Sequence, residues 1–291
     1  VIERILLAIA NSAASGVDAA YLACFDSRQK TFGLYQGSQF AGLVVVTLVF
    51  PFFSEVYRES AFLTIVSNGL AFVLILFLPR EVPSKELQKM ESGSLLKSLK
   101  QVQNDLPFLI IVASASLLFS VNQIVTVFLV QICYMNVGLS ASFFGYPFLG
   151  LVVLSFIASA FSAKCTDVFS KVGSITLFFS LSLFGVLLLA WQKNLIVVLI
   201  GVFSLRFGAT ALYPLIISLE VKQTKREQSA TILSVYALFS SGIELLLTIA
   251  LGTLANTNLT LSLVFSAVIV LLGLIGMLQG RKYLVMDQCL L

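Results

Sequence analysis

The chain has 291 residues, 58% of them hydrophobic and only 11% charged, with a net charge of +4 and no His. Soluble domains carry about 25% charged residues, so this deficit excludes an ordinary water-facing surface. The lack of His removes the usual general base and the commonest metal ligand, which argues against most hydrolases and metalloenzymes.

The chain opens Val1-Ile-Glu-Arg, with no Met and no signal segment, and is expected to begin partway through a protein. Apolar stretches follow at 2–25, 32–54, 60–79, 107–134, 141–164, 172–191, 195–219, 229–254 and 259–280. Each is near the ~20 residues that cross a ~30 Å hydrocarbon core, giving about nine transmembrane helices. The first span carries Asn11, Ser15 and Asp18 at helical spacing, one heptad after Arg4, and Gln36 and Gln39 open the second. These are candidate cavity residues, with helix packing as the competing role.

The longest polar break runs over 80–106. Within it Leu95, Leu96, Leu99 and Val102 recur at helical intervals beside Lys97 and Lys100, as in an amphipathic helix on a membrane face or a solvated linker. In the next span Ser116, Ser120 and Gln123 share a stripe, with Asn122 beside them. Cys24, Cys133, Cys165 and Cys289 show no CxxC or zinc-like spacing and are read as apolar fillers.

Charge inside an apolar span is costly and points to a cavity or a partner helix. Arg206, Thr210 and Tyr213 follow i, i+4, i+7 spacing, while Ser234, Ser241, Glu244 and Thr248 stripe the next span. At 1.5 Å per residue, Arg206 and Glu244 lie roughly 20 and 22 Å from their cytoplasmic ends, both near mid-membrane. They are expected to line one cavity and to pair. Glu244 is then the candidate proton carrier, because burial raises a carboxyl pKa and a guanidinium lowers it. A static interhelical ion pair is the alternative.

Fourteen of the 18 Lys and Arg, among them Arg28, Lys30, Lys164, Lys171 and Lys222, fall in loops on one side. The other side receives Arg4, Arg58 and Lys193. The positive-inside rule makes the rich side cytoplasmic, so the first helix enters from outside and the C-terminus is cytoplasmic.

Two segments repeat one layout: a small-residue helix, an acid at its cytoplasmic end, then a basic loop. They are Gly16–Lys30 around Asp26 and Ala209–Arg226 around Glu220. Equal sidedness makes the repeat parallel, as in one large transporter architecture. A degenerate copy of the loop motif G-x-x-x-D-[RK]-x-G-[RK] reads Ala163-Lys-Cys-Thr-Asp167-Val-Phe-Ser170-Lys171, with Ala163, Val168 and Ser170 departing from it. Arg4-Ile-Leu-Leu-Ala8 is similar to a fourth-helix R-x-x-x-G motif, whereas the fifth-helix G-x-x-x-G-P motif is not kept after Gly42.

On these residues the chain resembles the major facilitator superfamily over essentially its whole length. The resemblance implies an all-α polytopic helical bundle built from parallel six-helix halves, with the family's first three helices missing. It implies a remnant of the N-terminal half at 1–79, a cytoplasmic linker at 80–106, and the C-terminal half with a short tail at 107–291. The function it implies is secondary active transport of a small solute by alternating access, with proton-coupled drug or metabolite efflux as the finer expectation. No cofactor, metal or nucleic acid is expected. The expected partners are a small-molecule solute, protons and the lipid bilayer, and the complete protein is expected to be monomeric in a bacterial cytoplasmic membrane.

The cytoplasmic charges Asp26, Arg28, Asp167, Lys171, Glu220 and Lys222 are expected to latch the inward-closed state. Acids at helix C-termini oppose the dipole and need basic neighbours, although plain surface salt bridging would leave the same pattern. The chain lacks a Walker A loop, a polar catalytic cluster and a charged pore ring, so it is not expected to be an enzyme or a channel. A receptor-like protein, a membrane enzyme or an inactive transporter fragment are the alternatives.

Overall fold

Backbone amides in hydrocarbon must be satisfied within their own segment, so an apolar chain of this kind folds into helices. The computed structural model describes residues 17–26, 28–49, 57–77, 105–224 and 229–280. Every regular element among these residues is helical. Arg4, Asn11, Ser15, the segment 94–102, Lys225 and Arg226 lie outside them.

In chain order the helices are α1 (Val17–Phe25), α2 (Gln29–Val49), α3 (Tyr57–Leu76) and α4 (Leu106–Asn136). Helix α4 contains one π-helical turn at Val125–Leu129. Gly145–Trp191 follows as one continuous 47-residue run. At 1.5 Å per residue it would be about 70 Å long, more than twice a hydrocarbon core. The break is at Ser170, whose φ of 64° and ψ of 170° are non-helical. The run is therefore two helices, α5 (145–169) and α6 (171–191). They are followed by α7 (Leu195–Gln223), α8 (Ser229–Thr257) and α9 (Leu259–Gln279).

Local signals set the ends. Asn194 Oδ1 accepts from the Val197 amide at 2.9 Å, and Asn258 Oδ1 accepts from the Leu261 amide at 3.0 Å, so each caps the helix that follows. Pro107 occupies the first turn of α4, where its missing N–H costs no helical bond. Gln192, with φ 42°, ends α6.

Helix crossings are made by small residues, as expected where close van der Waals contact replaces the hydrophobic effect. At the α6–α7 crossing, a Cβ on Gly185 would sit 2.5 Å from the Gly201 carbonyl, and one on Gly208 would strike Ser182. At the α2–α5 crossing, a Cβ on Gly33 would lie 2.6 Å from the Ser159 carbonyl oxygen, and one on Gly37 3.2 Å from Ser159 Oγ. Gln29 Nε2 reinforces this seam by donating to Ser162 Oγ and Thr166 Oγ1, each at 2.9 Å.

The core lies among α4, α6, α7 and α9, where Phe178, Phe179, Leu205, Leu212, Leu263 and Met277 are fully buried. The outer faces are apolar as well. Val45, Val46, Leu238, Leu245, Leu246, Ile249 and Leu272 are all exposed. Apolar cover this continuous is a bilayer-facing surface, since soluble monomers do not expose it. The chain is an integral membrane protein.

Candidate functional site

Helices α1, α4, α7 and α8 enclose a chamber of about 510 Å³. Its polar lining is Asp18 from α1, Ser116 from α4, Tyr213 and Glu220 from α7, and Ser240, Ser241 and Glu244 from α8. A second chamber of about 300 Å³ adjoins it, lined by Gln36 and Phe40 from α2, Ser120, Asn122 and Gln123 from α4, and Arg206 and Thr210 from α7. Ser116, Phe119, Tyr213, Ser240 and Glu244 line both, so the two chambers form one cavity.

The walls are held from several helices. Ser116 Oγ lies 2.6 Å from Ser240 Oγ, joining α4 to α8, and also donates to the Val112 carbonyl at 2.7 Å. Tyr35 on α2 donates from its hydroxyl to Asp18 Oδ2 at 3.0 Å, and Gln39, one turn on, hydrogen-bonds that same hydroxyl. The Phe119 and Tyr213 rings meet edge to face with centroids 5.6 Å apart. Pro214 removes the helical hydrogen bond to the Thr210 carbonyl inside α7, beside the second chamber. The π-turn of α4 begins just past Asn122 and Gln123, and such turns often mark functional sites.

Arg206 and Glu244 share the second chamber, yet no ion pair joins them. Arg206 Nε donates to Ser155 Oγ at 2.8 Å, and its guanidinium stands 5.4 Å from the centroid of the Phe40 ring. The expected pairing is replaced by a hydrogen bond to α5 and a cation–π contact to α2, because Ser155 and Phe40 sit on the side of α7 where α2 and α5 cross it.

Glu220 is also placed unlike its expected surroundings. It is buried and faces the larger chamber with Asp18 and Glu244, so that acids from three helices converge. Lys222, two residues on, is exposed. The sequence carries a signal for this position: Glu220 continues the stripe of Arg206 and Tyr213 by one further heptad. Ser240 and Asn122 also line the cavity, the first of them missed by the sequence reading. Gln36 and Asn122 each leave a buried amide oxygen, Oε1 and Oδ1, without a partner.

The charges expected at the cytoplasmic side lie apart from the cavity, except for Glu220. Arg28 holds Asp26 through Nε at 2.9 and 3.0 Å and Nη2 at 2.8 Å, and Thr31 Oγ1 donates to Asp26 Oδ2 at 2.7 Å. These hydrogen bonds hold the Asp26 carboxyl well below the usual carboxylate range, and the pairing raises Arg28. Asp167 and Lys171 flank the Ser170 break between α5 and α6, with Asp167 exposed.

Comparison with curated proteins finds no match. Residues 1–246 match the Major Facilitator Superfamily, a span that takes in α1 to α7 and most of α8 with its cavity-lining residues. That match covers most of the chain, and the chain belongs to the major facilitator superfamily.

Proposed function

We propose that the two-chambered cavity is the solute path of a secondary active transporter, with Glu244 as its proton carrier. The observation that carries this reading is the junction of the chambers at Glu244. There a carboxylate from α8 faces the acidic chamber on one side and the Arg206 chamber on the other. A carboxyl at that junction is in reach of water and solute from either chamber as each opens. Motion comes from rocking of residues 1–79 against residues 107–291 about the glycine seam of α2 and α5. Efflux, with the C-terminus on the cytoplasmic side of a bacterial inner membrane and one copy as the working unit, completes the proposal.

In this reading Asp26 with Arg28, and Asp167 with Lys171, latch the cytoplasmic side when the cavity faces outward. Glu220 belongs to the cavity, and Lys222 stands at its cytoplasmic rim. If Asp167→Asn leaves transport rates unchanged, the latch role of that residue is lost.

The test is uptake into inside-out vesicles under an imposed pH gradient, using radiolabelled organic cations, organic anions and neutral sugars in parallel. At least one class is expected to accumulate with the gradient, and Glu244→Gln is expected to abolish the gradient dependence. Accumulation that remains fully coupled in Glu244→Gln removes Glu244 from the mechanism. No accumulation of any class contradicts transport itself.

A further inference from the structure

Among the described residues, the charged side chains that line the larger chamber are hydrogen-bond acceptors. In the larger chamber the carboxylates of Glu220 and Glu244 make no hydrogen bond or ion pair with any described residue, although Glu220 is only 8% exposed. Asp18 accepts from the Tyr35 hydroxyl at one oxygen and from the Ala19 amide at the other. In the adjoining chamber Gln36 Oε1 and Asn122 Oδ1 are buried acceptors with no donor. Buried acceptors of this kind are costly unless something donates to them.

The cation that lines the cavity does not fill that role. Arg206 lines the adjoining chamber but not the larger one, and is held by Ser155 and Phe40. Among the described residues the larger chamber is lined by three carboxylates and no basic side chain. Its apolar wall, Phe119, Val112, Leu233 and Ile216 with the Tyr213 ring, suits a compact hydrophobic body.

The geometry points to an organic cation bearing N–H donors, a protonated amine on a hydrophobic body, as the solute class that this cavity takes. The ammonium sits among Asp18, Glu220 and Glu244, and its N–H groups meet the open carboxylate oxygens. Glu220 is the main contact, because it is the most buried of the three acids and has no donor among the described residues. This inference rests on the transport reading for its meaning, but it concerns occupancy of the site alone.

Three fluorescent probes with one naphthalene body separate the contributions: a naphthylethyl-ammonium, its trimethylammonium counterpart and naphthylacetate. Binding is read by fluorescence anisotropy on the purified protein in nanodiscs, with empty nanodiscs subtracted. The primary ammonium is expected to bind at least about tenfold more tightly than the anion, with the trimethyl compound between them, since charge is shared and donors are not. Glu220→Gln is expected to weaken the primary ammonium by about tenfold, with Glu220→Asp recovering part of the loss.

Equal or tighter binding of the anion overturns the inference. So does unchanged ammonium affinity in Glu220→Gln, or no binding by any probe. Should Glu220→Gln fail to fold, the order of the three probes on the unaltered protein decides alone. Amine binding without gradient-driven flux would sink the transport reading and leave the cation site standing. Flux of an anion or sugar without amine binding would do the reverse.

Discussion

Arg206 and Glu244 line one chamber, yet Arg206 gives its Nε–H to Ser155 at 2.8 Å, and no ion pair forms between the two charges. The two charges are therefore not spent on a static ion pair between α7 and α8. A double-mutant cycle on unfolding in detergent separates the two cases. Arg206→Gln with Ser155→Ala is expected to couple by about 1.5–3 kcal/mol, as for a hydrogen bond to a charged group. Arg206→Gln with Glu244→Gln is expected to be additive within about 0.5 kcal/mol. Strong coupling in the second cycle would restore the static ion pair.

Ser170 offers a test of the break between α5 and α6. Its backbone angles, φ 64° and ψ 170°, lie in a region that is essentially glycine's own. The loop motif of the family has Gly at this place, and this chain has Ser. Ser170 Oγ also accepts from the Gly173 amide at 3.3 Å, a modest cap on α6. Ser170→Gly is expected to stabilise the protein by about 1 kcal/mol, since relief of backbone strain outweighs a cap loss of a few tenths. Ser170→Ala keeps the strain, loses the cap and is expected to destabilise by about 1 kcal/mol. Thermal unfolding in the order Gly above Ser above Ala checks this.

Much of the bundle was legible because hydrophobic length and loop charge are properties of sequence. The gap between the expected spans ending at Lys164 and beginning at Val172 holds the Ser170 break. The cavity was legible in part. Stripes on α4, α7 and α8 named Ser120, Gln123, Arg206, Tyr213, Ser241 and Glu244, and all of these line it. Two things were hidden. Which neighbour Arg206 chooses depends on where α5 and α2 cross α7, and no periodicity within α7 encodes that. Glu220 lies in the last turn of its helix beside Lys222, so by position it resembles a surface charge. Its burial follows from the approach of α1 and α8, a tertiary relation.

The α2–α5 seam is expected to be sensitive to a single methyl group. Gly33→Ala places a Cβ 2.6 Å from the Ser159 carbonyl oxygen, so the helices must separate. A cost of about 1–3 kcal/mol is expected. At Gly42, further along the same helix, an added methyl group would meet nothing within 4 Å. Gly42→Ala is expected to stabilise by about 0.5–1 kcal/mol through helix propensity. Unfolding midpoints of the two variants are expected to move in opposite directions.

Between α1 and α2, Arg28 and then Thr31 lower the Asp26 carboxyl below its ordinary range. A carboxyl depressed in the folded state adds stability that is fully present above its unfolded value of about pH 4, and loses it as pH falls through the folded value. The pair is solvent-exposed, so its contribution at neutral pH is small. Asp26→Asn is expected to flatten the acid side of the stability profile below about pH 4 and leave neutral stability nearly unchanged. An unaltered acid limb would mean that Asp26 titrates alike in both states.

The proposed transport cycle has the cavity open to each side of the membrane in turn. Ser241, exposed in the acidic chamber, reports on this most directly once Cys24, Cys133, Cys165 and Cys289 are replaced. Ser241→Cys is treated with a membrane-impermeant maleimide in right-side-out and in inside-out vesicles. Labelling from both faces is expected, with the bound naphthylethyl-ammonium protecting in each case. Labelling from one face only, at any pH or solute concentration, would contradict alternating access through this cavity.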